Sequence, residues 1–140
     1  MKSTGIIVDS LGLNDITFEL VNKLNNTKEN ISVFYKDFGF SPIIPKFSIA
    51  FLKEAYSFDG KLISTSIETT QILKHCICKQ KYFYIWNFEW MHSNLSFKDL
   101  SEVYLDDKIT LLCRSEEHAR KIKSIWKTPL VVQDFQLIEN

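Results

Sequence analysis

Lys81–His92, KYFYIWNFEWMH, is the most aromatic run in the chain, and the way it divides decides the fold. Tyr82–Trp86 reads as a buried strand: it is short, apolar and rich in aromatic side chains. The second half drops into Asn87, Glu89, Trp90 and His92. In a doubly wound α/β sheet, ligands sit beyond the carboxyl ends of the strands, so this polar half is a candidate site edge.

The same unit recurs on both sides. Upstream, Lys61–Thr65 reads as a strand, Ser66 as a helix cap, and Glu68 as an acid in the positive first turn. Thr69, Ile72, Leu73, Cys76 and Ile77 then form one apolar face. Downstream, Ser96 opens a short helix that uses Phe97, Leu100, Val103 and Tyr104. Lys108–Cys113 is another strand, and Ser115 caps a helix with Glu116 and Glu117 at its start and Lys123 and Lys127 at its end. Its buried stripe is expected at Ala119, Ile122, Ile125 and Trp126. Leu130–Val132 follows as an edge strand.

Nearer the amino end, Gly5–Asp9 and Ile31–Tyr35 are strands. Asn14 caps a helix on Ile16, Leu20, Val21 and Leu24. Phe47, Ala50, Phe51, Ala55 and Phe58 predict a second helix, stopped by Asp59-Gly60. The strands are continuous apolar runs, as expected when both sheet faces are covered. The expectation is one domain over residues 1–140: a three-layer α/β/α Rossmann-like fold with a mostly parallel sheet of about six strands.

Composition narrows the partners. The 17 Lys and Arg balance 17 Asp and Glu, so no overall field attracts nucleic acid or anionic lipid. No stretch approaches a membrane span, and Ile6-Ile7-Val8 is too short for a signal peptide. Three cysteines without such a signal suggest reduced thiols and a cytoplasmic location.

A parallel sheet brings all strand carboxyl ends to one edge. The candidate ligand-binding residues there are Asp9, Ser10 and Gly12 after the first strand, and Ser66 and Glu68 after the third. Asn87, Glu89, Trp90 and His92 follow the fourth, and Arg114, Ser115 and Glu117 the fifth. Among the aromatic residues of this region, Trp90 and His92 are the expected exposed contacts. The bland reading of the serines is helix capping, which every α/β domain needs.

Other chemistries find little support. His75-Cys76-x-Cys78 lacks the spacing and second ligand pair of a metal site, so structural cysteines and no metal are expected. Ser66 or Cys113 with His92 or His118 lacks a nucleophile elbow. No G-x-G-x-x-G follows the first strand and no phosphate-binding lysine loop is present, so no cofactor is expected.

Residues 61–132, and above all Ile109–Val132, ITLLCRSEEHARKIKSIWKTPLVV, resemble the second half of the N-terminal domain of GT-B glycosyltransferases. There a strand ends in Ser-Glu, opens a helix and leads to another strand. The resemblance implies that Ser115-Glu116 is the last strand-to-helix turn beside an interdomain cleft. It also implies an acceptor-side domain that binds a sugar or nucleotide sugar. The family's second domain, which holds the donor, has no counterpart in 140 residues, so catalysis is expected to need a partner chain. The whole chain also looks like small proteins of T4-like marine phages, with Ser-Ile-Glu-Thr after a strand and an aromatic Glu-Trp run. That likeness implies the host cytoplasm and an alternative role: a non-enzymatic interaction protein that uses an aromatic patch to bind a protein partner or a second copy.

Overall fold

The computed structural model describes residues 3–10, 30–37 and 46–132. The helix expected from Asn14 to Leu24, and Gly12 with it, lie outside the described residues. The chain folds as a three-layer α/β/α Rossmann-like domain on one seven-stranded, all-parallel sheet. The strands are β1 (Thr4–Ser10), β2 (Ile31–Asp37), β3 (Ser48–Phe51), β4 (Lys61–Ser64), β5 (Lys81–Tyr84), β6 (Ile109–Cys113) and β7 (Leu130–Val131). The described helices are α1 (Ile67–Leu73), α2 (Phe97–Tyr104) and α3 (Glu116–Ile125).

Both sheet faces are buried, and the two-residue alternation of each strand assigns its side chains between them. Ile7, Leu62, Phe83, Leu111 and Cys113 face the layer that holds Leu73, Val103, Tyr104 and Ile122. Ile6, Val8, Val33, Ile63, Tyr84 and Leu112 form the second cluster. This double burial explains why the strands read as unbroken apolar runs in the sequence.

The strand order is β3-β2-β1-β4-β5-β6-β7. The chain therefore builds outward from β1 in one direction, returns to β4 beside β1, and builds outward in the other. The join between β1 and β4 is the topological switch point, where a crevice opens at the carboxyl edge. A side-chain bond reinforces it: Thr65 Oγ1 donates to the Ile7 carbonyl at 2.8 Å.

Two expectations are corrected. Phe47 to Phe58 is not one helix: Ser48–Phe51 pairs with β2 as an edge strand, and Leu52–Ser57 forms a 3-10 turn. This adds the seventh strand. The i, i+3, i+4 spacing arose from a short strand abutting a tight turn, and pairing with β2 is a long-range bond that local periodicity does not register. Burial of the helical stripes also differs. Ile77, Phe97 and Ile125 are exposed. The last described residue of α1 is Leu73, so Ile77 lies past the helix and its helical spacing no longer aims it inward.

Candidate functional site

Ser64–Thr70, STSIETT, shapes the first wall of the switch point. Ser66 is the cap of α1: its Oγ accepts from Thr69 N at 3.1 Å, while Thr69 Oγ1 accepts from Ser66 N at 2.9 Å. Thr70 Oγ1 donates to the Ser66 carbonyl at 2.6 Å and lies 2.6 Å from Ser64 Oγ. These hydroxyls are used to fasten the turn, a capping box with threonine in place of the usual glutamate. Glu68 and Gln71, on the exposed side of the same helix, remain turned to solvent.

The opposite wall is the loop after β5. Glu89 folds back on its own chain: Oε1 accepts from Trp86 N at 3.1 Å and Asn87 N at 2.9 Å. This explains why the strand stops where it does, since the carboxylate takes the backbone donors that a longer strand would offer to a neighbour. The other oxygen, Oε2, is buried and has no hydrogen-bond partner among the described residues. Burial holds the Glu89 carboxyl above the usual range, opposed by the backbone N–H groups and by Arg114. A buried acceptor left unpaired is costly, and a ligand hydroxyl or ammonium would relieve it.

Between these walls lies a cleft of about 490 Å³, a size typical of small-molecule sites. Asp9, Ser66, Glu68, Gln71, Glu89, His92, Ser93 and Asn94 supply its polar lining, with Ile67 and Leu95. Three carboxylates and no Lys or Arg among these residues make it unfavourable to anions. It suits a donor-rich ligand, such as a sugar presenting hydroxyls or a molecule bearing an amine.

Arg114 and the start of α3 build a separate, smaller cleft of about 320 Å³. Arg114 Nη2 donates to the Trp86 carbonyl at 2.7 Å and to Asn87 Oδ1 at 3.3 Å, and the guanidinium lies 4.0 Å from the centre of the Trp86 ring. Ser115 caps α3 by accepting from His118 N at 3.2 Å. Asn87, Phe88, Glu117, His118 and Lys121 complete the lining with Trp86, Arg114 and Ser115.

The structure thus divides the sequence-derived candidates. Asp9, Ser66, Glu68, Glu89 and His92 meet at the switch point, while Asn87, Arg114, Ser115 and Glu117 meet beside α3. Ser10 ends β1, its Oγ buried and without a partner among the described residues, and lines neither cleft. Trp90 lines neither cleft as well. Its ring packs against Tyr104 at 5.4 Å, Phe88 at 5.2 Å and Trp126 at 6.3 Å between centroids. Gly12 is outside the described residues.

Gln71, Ser93, Asn94, Lys121 and the wall role of Trp86 escaped the sequence reading. Lys121 was recoverable, because it lies one turn beyond Glu117, with which it pairs at 3.8 Å. Among the described residues neither nucleophile candidate is hydrogen-bonded to a histidine: Ser66 Oγ is occupied by Thr69, and burial holds the Cys113 thiol up, in its unreactive form. Burial likewise pushes Cys76 up to about 11, aided by Cys78. Among the described residues, no three His, Cys, Asp or Glu converge as metal ligands would, and no helix is long and apolar enough to cross a membrane. No family model, curated protein or solved structure matches the chain.

Proposed function

We propose that this chain is a small-molecule-binding domain, built like the acceptor-side half of a GT-B glycosyltransferase, that holds a hydroxyl-rich ligand such as a sugar at the switch point. One observation carries the reading: the acid-lined cleft with the unpaired Glu89 Oε2 coincides with the reversal of strand order. Carboxylates that accept from ligand hydroxyls bind and orient, and among the described residues no side-chain hydrogen bond joins a nucleophile to a histidine ring in either cleft. Transfer of a sugar would therefore need a donor held by another domain or chain. The buried, free thiols of Cys76, Cys78 and Cys113 favour a reducing, cytoplasmic setting, which would be the host's if the gene is a phage's.

A thermal-shift screen with sugars, sugar nucleotides and nucleotides tests this reading. A ligand at about 100 times its Kd should stabilise the wild-type chain by about 2.7 kcal/mol. The shift should fall sharply in Asp9→Asn, which keeps the side chain's shape and loses its charge. A panel that leaves the melting temperature unmoved would overturn the proposal.

A second reading follows from the exposed apolar side chains beside α2 and α3. Phe97 is 72% exposed and Ile125 49% exposed, and Phe97 stacks on Trp126 at 5.6 Å. Such a patch suits an interaction protein that meets a second copy or another chain.

A further inference from the structure

We propose that the second cleft, between the β5 loop and the start of α3, binds a phosphate-type oxyanion. The proposal stands apart from the reading of the switch-point cleft, whose acids would repel such a group. Three features converge on it. Arg114 and Lys121 both line the cleft, and among the described residues the Arg114 guanidinium hydrogen-bonds through Nη2 alone, leaving its other N–H groups to a ligand. Stacking on Trp86 and the bond to its carbonyl hold that guanidinium in place before any ligand arrives. The cleft also opens at the amino end of a ten-residue helix, where the positive end of the helix dipole favours an anion.

The independent observation is His118. It forms part of the cleft wall, is only 8% exposed, and its Nε2 has no hydrogen-bond partner among the described residues. A buried polar atom that the described residues leave without a partner calls for one, which a ligand in the cleft can supply. Burial holds His118 below the usual histidine range, aided by Arg114 and Lys121, while a hydrogen bond that the ring donates to the Asn87 backbone carbonyl acts the other way. In the free protein it is therefore neutral at pH 7. An oxyanion in the cleft adds negative charge beside it, which favours the imidazolium, and Nε2 then carries a proton from solvent to donate to the anion. Binding and proton uptake are coupled, so the anion is held more tightly as pH falls through the histidine range. The charged groups facing His118 are Arg114 from the β6 turn and Lys121 and Glu117 from its own helix; the β5 loop contributes the neutral Asn87 and the Phe88 ring, 5.0 Å from the imidazole.

Glu117 gives the test its discriminating variant. It lines the same cleft and pairs with Lys121 at 3.8 Å, so it competes with the anion for that lysine. The probe is sodium sulfate, which stays dianionic while histidine titrates, with sodium chloride at matched ionic strength as control. Amide and imidazole resonances of the full chain report binding. Saturable shifts at the Glu116 and Glu117 amides and the His118 ring are expected, with affinity rising at lower pH. Arg114→Gln should weaken binding about tenfold, equal to about 1.4 kcal/mol, whereas Glu117→Gln should tighten it several-fold. Because Glu117→Gln is a gain on an exposed side chain, it remains decisive if Arg114→Gln disturbs the fold. Shifts that chloride reproduces, or that Glu117→Gln leaves unchanged or weakens, would overturn the proposal.

Discussion

Trp90→Ala should lower the unfolding free energy by about 3 kcal/mol, at the low end for a large aromatic truncation because the ring is only partly buried. The indole sits at the hub of an aromatic set. It meets Tyr104 edge-on at 83° and Trp126 at 84°, and Phe88 reaches it from the loop. Tyr104 in turn stacks on Trp126 at 4.8 Å and packs against Phe83 of the central strand. Removing the indole leaves a void between α2, the end of α3 and the β5 loop, and none of these rigid rings can rotate to fill it. Against a total of about 5–15 kcal/mol for a domain, this loss is large. Trp90→Phe retains an aromatic contact at the hub and should recover most of it. Urea titration monitored by circular dichroism reads both values. If Trp90→Ala proves nearly neutral in stability and abolishes ligand binding, the indole belongs to a site and not to the core.

Glu89 should respond with opposite signs to two substitutions. Its carboxyl is held up chiefly by burial. An acid whose folded pKa lies above its unfolded value favours the folded state when protonated. That contribution is present below the unfolded value and is lost as pH rises through the folded one. At neutral pH the ionised carboxylate is therefore a burden on stability. Glu89→Gln keeps an oxygen to accept from Trp86 N and Asn87 N and removes the charge, so it should melt higher than wild type at pH 7. The advantage should shrink on acidification, as wild-type Glu89 itself becomes neutral. Glu89→Ala removes the acceptor too and should cost about 1–3 kcal/mol for the half-buried Trp86 N–H left unpaired. Melting temperatures of the three proteins across pH check this pattern; a Glu89→Gln advantage that grows on acidification would contradict it. A gain in stability with a loss of ligand affinity in Glu89→Gln is what a binding residue should show.

Much of the architecture was legible in the sequence because it is locally encoded. Ser66, Ser96 and Ser115 all cap helices, and the apolar runs of β1, β2, β4, β5 and β6 fall where they were expected. Long-range choices were not legible. The pairing of Ser48–Phe51 with β2 overrode a helical spacing. The single candidate edge expected from the sequence divides in the fold: whether Glu89 and Arg114 share a cleft depends on how the β5 loop folds, and Glu89 decides this by bonding its own backbone. Trp90 misleads for the same reason. Lying just beyond a strand it looks exposed, but the 3-10 turn of Glu89–His92 swings it back onto Tyr104.

The central claim is that the crevice beside β1 and β4 holds a donor-rich small molecule. Amide chemical-shift mapping on the full chain, titrated with the sugar that most raises its melting temperature, tests this most directly. Saturable shifts should cluster at Glu68, Gln71, Glu89, Ser93 and Asn94, leaving Phe97 and Ile125 unmoved. Shifts that spare those five residues, or that gather around Phe97 and Ile125 as the concentration of the chain itself is raised, would contradict the account and favour an interaction surface instead.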